Sequence, residues 1–229
     1  MTFDETQSSA RPVETAFHEN EPHQGRIGGK LNWLRAGVLG ANDGIVSTAG
    51  VVIGVAGAAQ GNVLAIATAG VAALVAGAFS MAGGEYVSVS TQRDTEQALI
   101  EKEKRELAEE PELELQELAG LYRQRGLSEE VALRVAEELT AHDALAAHAE
   151  VELGIDPEEL TSPWSAALSS FVAFTVGALL PLIMILLPLG EHRVWAAAVA
   201  VVIGLIATGW ISAALGNAPR GRAIMRNVV

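Results

Sequence analysis

Two acidic residues, Asp43 and Glu85, bracket 41 consecutive residues, Gly44 to Gly84, that carry no charge. At about 20 residues per crossing, this run is long enough for two membrane helices, with the Gln60-Gly61-Asn62 turn between them. Soluble cores do not need runs of this length, so the chain is committed to a bilayer. A carboxylate then stands at each end of a hairpin in lipid. Two readings stay open. An ionisable group at membrane depth is costly and marks an ion or proton pathway, whereas a carboxylate among the headgroups only marks where a span begins.

Further uncharged runs of 31 residues (Leu160 to Gly190) and 26 residues (Val194 to Pro219) each allow one more span, with a hairpin turn at Gly190-Glu191-His192-Arg193. Trp164 and Trp195 stand near span ends, where amphipathic rings favour the membrane interface. The first 30 residues, with Asp4, Glu5, Glu14, Glu19 and Glu21 and no apolar core, read as a disordered polar leader and not as a signal peptide.

The net charge of −13 resides in one segment: residues 91 to 162 hold 20 Asp or Glu against 7 Lys or Arg. Such a surface collects cations and is a poor partner for nucleic acid or anionic lipid. The chain has no cysteine, so any metal must be held by oxygen, imidazole or thioether. Lys and Arg set the orientation of short flanks. Arg26, Lys30 and Arg35, then Arg93, Lys102, Lys104 and Arg105, then Arg220, Arg222 and Arg226 all fall on one side of a four-span chain. The amino terminus and the acidic segment are therefore expected in the cytoplasm.

The expected class is all-α: a polytopic membrane protein with a cytoplasmic three-helix metal-binding domain inserted between spans two and three. Its divisions are a leader at 1–30, spans one and two at 31–90, the acidic domain at 91–162, spans three and four at 163–219 and a basic tail at 220–229. Within the acidic domain, Thr91 to Glu109 continues straight out of the second span until Pro111 ends the run. A second helix runs from Glu112 to Arg125. A third starts behind Ser128 as N-cap and closes at Gly154. Asp156-Pro157 and Ser162-Pro163 then give cap-plus-proline starts for a short turn and for the third span.

Side chains three or four apart share a helix face, which selects Glu103 with Glu106, Glu114 with Glu117, and His148 with Glu152. Carboxylates with an imidazole favour first-row transition metals. A solvated acidic face would show the same spacing. On the second span Met81 and Glu85 lie one turn apart, and a thioether beside carboxylates suits ferrous iron better than calcium or magnesium. In the first span Gly40 with Gly44, and Gly50 with Gly54, repeat at the interval that lets membrane helices approach closely. Of the competing classes, a ferritin-like oxidase would need Glu-x-x-His pairs, but Leu139 and Leu145 stand three before His142 and His148. A passive metal sensor would leave Asp43 unexplained. Hydrolase and NTPase motifs are absent, and no enzyme is expected.

The runs Leu39-Gly40-Ala41-Asn42-Asp43-Gly44-Ile45-Val46-Ser47-Thr48 and Ser80-Met81-Ala82-Gly83-Gly84-Glu85-Tyr86-Val87-Ser88-Val89, with the Glu-rich insert ending Glu152-Leu153-Gly154, closely resemble the vacuolar iron transporter family in a bacterial form, over about residues 30 to 226. The resemblance implies a homodimer in the cell's inner (plasma) membrane. It would move ferrous iron or manganese out of the cytosol in exchange for protons, without a prosthetic group. It further implies that Asp43 and Met81 are pathway ligands, with Glu85 at the cytoplasmic end, and that Glu103, Glu106, Glu114, Glu117 and Glu152 are cytoplasmic ligands. His148 stands where plant members carry Met. The family's fifth span has no counterpart here, since only Asn227, Val228 and Val229 follow Arg226; either the chain is truncated or this member lacks the helix.

Overall fold

The computed structural model describes residues 27–59, 62–157, 160–216 and 218–228, with side chains from Asn32 onward. The polar leader over 1–26, Gln60 and Gly61 of the first turn, and 158–159 after Asp156-Pro157 lie outside the described residues. Every described element is a helix: α1 (Ile27–Ala58), α2 (Val63–Glu109), α3 (Pro111–Gln124), α4 (Glu129–His148, continued by a π turn over Ala149–Leu153), α5 (Pro163–Leu186), α6 (Arg193–Leu215) and α7 (Arg220–Val228). α1, α2, α5 and α6 contain windows long and apolar enough to cross a membrane. Their outward faces keep large apolar side chains such as Phe79, Val176, Ile203 and Leu215 exposed, as lipid contact requires.

α5 sits at the centre of the membrane helices because small residues let backbones meet. A methyl group on Gly40 would lie 2.7 Å from the Ser170 carbonyl oxygen, one on Gly44 would overlap that of Phe174, and one on Gly177 would overlap that of Ala41. The expected close approach at Gly40 and Gly44 is therefore present, but it joins α1 to α5 of the same chain. Gly50, Gly54 and Gly57 have no described neighbour at that distance. Further along α5, Leu182 and Ile185 pack with Val52, Ile66 and Ala197. Ser162 caps α5 by accepting from the Ser165 amide, and Pro163 occupies its first turn.

α2 runs unbroken for 47 residues, about 70 Å, so only its first half fits within a bilayer. Asn62 caps its start, accepting from the Ala65 amide at 3.1 Å. Its charged second half carries α3 and α4, whose contact is made by Leu118, Ala119, Ala136 and Ala147 with Leu115, Tyr122 and Leu139 around them. The ends of these helices fall where Pro111 and Gly154 dictate: α2 stops at Glu109, and Gly154 adopts the left-handed conformation at φ 64°. Ser128 stands at the N-cap position of α4, but its side chain makes no capping bond. The capping side chain of this region is Asp143, which leaves helical geometry (φ −159°, ψ 96°) and accepts from the Ala146 amide at 2.9 Å. α4 is thereby kinked, and a fresh helical segment leads into the π turn.

Candidate metal sites

The kink and the π turn aim the end of α4 into the groove between α2 and α3. His148 is fully buried there. Its Nδ1 lies 3.0 Å from Glu103 Oε1 on α2, 3.7 Å from Glu114 Oε2 on α3 and 3.5 Å from Glu152 Oε2 on the π turn. These are ion-pair distances without hydrogen-bond geometry. Among the described residues neither ring nitrogen of His148 has a hydrogen-bond partner, and neither does Glu103 Oε1. Buried polar atoms are normally bonded, so an imidazole and a carboxylate left unmatched at this distance fit a bound cation. One atom each from Glu103, Glu114 and His148 lies within 4.8 Å of the others, a span compatible with a single ion.

Burial is the main reason that the Glu103 and Glu114 carboxyls take up protons more readily than ordinary carboxylates. Neighbouring carboxylates push the same way, Glu152, Glu114 and Glu106 at Glu103 and chiefly Glu117 at Glu114, while His148 opposes them. Helical spacing thus selected the four residues that converge, and two more that do not. Glu106 is half-buried and turns to Lys102, whose Nζ donates to it at 2.6 Å. Glu117 faces solvent on α3. Both stand at the rim and act on the cluster through their charge.

A second polar site lies within the membrane helices. Asp43, Ser47 and Val51 of α1, Ala73, Gly77, Ser80 and Met81 of α2, and Phe174 of α5 line an open pocket of about 260 Å³. Asp43 and Met81 therefore share one chamber. Phe174 had no signal in the sequence; its ring lies against Gly77, and its backbone meets Gly44, so it holds α1 and α2 apart at the level of Asp43. Ser47 donates its hydroxyl to the Asp43 carbonyl at 2.6 Å, which leaves the Asp43 carboxylate to the cavity. Glu85 is buried but does not line this chamber; it faces Arg35 of α1, 3.5 Å from its Nη2. The ring of neighbouring Tyr86 lies 4.8 Å from that of Trp164, the amphipathic pairing expected at a membrane interface.

Four apolar helices, three of which line a pocket holding a carboxylate and a thioether, with an acidic helical cluster on the extension of one of them, define a polytopic membrane protein equipped for cations. The chain belongs to the VIT family, whose model matches residues 34–229, and whose members are transporters and not enzymes. It is 48% identical over 166 residues to the Vacuolar iron transporter of Acanthamoeba castellanii, covering 72% of this chain and 60% of that protein. It is 36% identical over 198 residues to Vacuolar iron transporter homolog 2 of Arabidopsis thaliana, covering 86% of this chain and 76% of the relative. For Vacuolar iron transporter homolog 1 of Oryza sativa subsp. japonica the identity is 40% over 205 residues, 87% of this chain and 68% of the relative.

Proposed function

We propose that this protein carries ferrous iron or manganese across the plasma membrane, out of the cytosol and in exchange for protons, with the acidic helices collecting the ion on the cytoplasmic side. The single observation that carries the reading is the chamber shared by Asp43 and Met81. A carboxylate compensates the charge of a dehydrated cation in the membrane, and a thioether beside it favours a borderline metal. A carboxylate cannot hold a proton and coordinate the ion through the same oxygen, so loading Asp43 with one releases the other. The relatives' names as vacuolar iron transporters support iron as one cargo.

Glu103, Glu114, His148 and Glu152 would hold the ion outside the membrane, with Glu106 and Glu117 raising the local negative charge. The Arg and Lys clusters support a cytoplasmic placement of this unit and of the amino terminus. A homodimer fits the open face of α1, where Gly50, Gly54 and Gly57 lack described neighbours. Asp43 lies seven residues before Gly50 on that helix, two turns along the same face, so a two-fold pair would bring two Asp43 carboxylates to its axis.

The deciding experiment loads liposomes bearing the purified protein with a metal-responsive dye and adds iron, manganese, zinc or calcium across a set pH gradient. Flux of iron or manganese coupled to proton movement is expected, and its loss in a folded Asp43→Ala protein. Undiminished flux in that variant would remove Asp43 from the pathway.

A further inference from the structure

We propose that Arg35 is a built-in counter-cation for Glu85, which an incoming divalent metal ion must displace at the mouth of the Asp43 and Met81 chamber. The proposal rests on the transport reading above and adds a residue that sets metal affinity. Glu85 is 7% exposed, and a buried carboxylate is costly unless compensated. Among the described residues its ion-pair partner is Arg35, at 3.5 Å and through a single nitrogen. This is neither the short nor the bidentate geometry of a strong structural pair.

The dependence within the pair is one-sided. Arg35 is held on its own helix by Asn32 Oδ1, to which its Nε donates at 3.2 Å and its Nη2 at 2.9 Å, and its side chain is 57% exposed. It can swing away from Glu85 and leave no buried charge of its own. The buried Glu85 carboxylate, by contrast, loses its described ion-pair partner when Arg35 leaves. A guanidinium keeps its charge at every physiological pH, so it holds Glu85 against weakly bound monovalent ions, but a divalent ion brings twice the charge to the same carboxylate.

The position suits a mouth. Arg35 precedes Asp43 by eight residues on α1, and Glu85 follows Met81 by four on α2. The pair therefore lies roughly 6 to 12 Å outside the chamber, on the side from which α2 continues to Glu103. Passage requires a site attractive enough to enter and weak enough to leave; Arg35 supplies the second condition.

The test measures Mn²⁺ binding to the full-length protein in detergent by paramagnetic resonance, with Glu103→Gln and Glu114→Gln present to weaken the acidic cluster. Arg35→Gln should tighten the remaining membrane site about two- to fivefold, the range of a partly exposed ion pair. Arg35→Lys should stay near the parent, and the effect of Arg35→Gln should vanish when Glu85→Gln is also present. In liposomes, Arg35→Gln should lower both the half-saturating manganese concentration and the maximal rate, because release is slowed. Unchanged or weaker binding in Arg35→Gln, a gain that persists without Glu85, or the absence of any Mn²⁺ site in the parent would overturn the proposal. Binding that follows the expected pattern without flux would overturn the transport reading while supporting the role of Arg35.

Discussion

Replacing Glu103 by Gln separates a metal ligand from a structural partner of His148, because the two roles move stability in opposite directions. Glu103 is 3% exposed, its Oε1 has no described hydrogen-bond partner, and burial favours its protonated form. An unsatisfied buried polar group costs about 1 to 3 kcal/mol, and more when charged. The amide keeps the shape and removes the charge. Without metal, Glu103→Gln should therefore stabilise the protein by about 1 kcal/mol, which is roughly 2 to 4 °C for a chain of this size. With metal the order reverses. An ion at a hundred times its Kd stabilises the parent by about 2.7 kcal/mol, and losing one anionic ligand should weaken binding at least about tenfold, about 1.4 kcal/mol. The assay is thermal unfolding followed by circular dichroism at 222 nm, with chelator and then with manganese. Tryptophan fluorescence is unsuitable because Trp33, Trp164, Trp195 and Trp210 all lie outside the acidic helices. A variant that is less stable in chelator and keeps the full metal-dependent shift would refute the reasoning and make Glu103 a salt-bridge partner of a charged His148.

The pH dependence follows from the same carboxyls. Glu103 and Glu114 bind protons more readily in the fold than at the ordinary value of 4.5, so between that value and the raised ones the folded state holds more protons than the unfolded chain. Metal-free stability should accordingly rise as pH falls from neutral through the raised values, while metal affinity falls; unfolding in chelator at pH 7.5 and 5.5 checks the sign, and a loss on acidification would contradict it. Gly44→Leu should cost 3 kcal/mol or more and abolish folded protein in detergent, since overpacking of even one methylene costs about 1 to 3 kcal/mol and the Phe174 backbone cannot yield. Gly54→Leu faces open space in the protomer, so it should fold yet weaken a dimer, as mass measurement in detergent would show. Leu118→Ala in the core between α3 and α4 should cost about 2 to 5 kcal/mol, and normal stability would mean that this contact is not made in solution.

The four apolar helices were legible because an uncharged run of this length has few alternatives to a bilayer, and Pro111 and Gly154 mark helix ends through backbone constraints that no tertiary contact relieves. The acidic cluster was half legible. Spacing of three or four places two side chains on one face, but it does not say which of them meets the neighbouring helix, so Glu103 and Glu114 converge while Glu106 and Glu117 stay at the rim. The glycines show the same limit: Gly40 with Gly44 and Gly50 with Gly54 are identical as patterns, and only the first pair meets α5. The kink at Asp143 was hidden because this residue stands inside an otherwise continuous helical run, where its spacing does not mark it as the start of a fresh segment. Arg35 and Glu85, 50 residues apart, have no local signal at all.

The unbroken course of α2 makes it a lever. Glu85 and Glu103 are 18 residues apart on one helix, about 27 Å, with no hinge between them at which motion could be absorbed. A tilt of about 10° in the membrane half would swing Glu103, and the α3 and α4 packed beside it, sideways by about 5 Å. In a two-fold pair the two acidic clusters would then separate or close by about twice that distance. Opening of the chamber and spacing of the clusters would be one motion, measurable as a distance between spin labels on the exposed face of α3 with and without manganese.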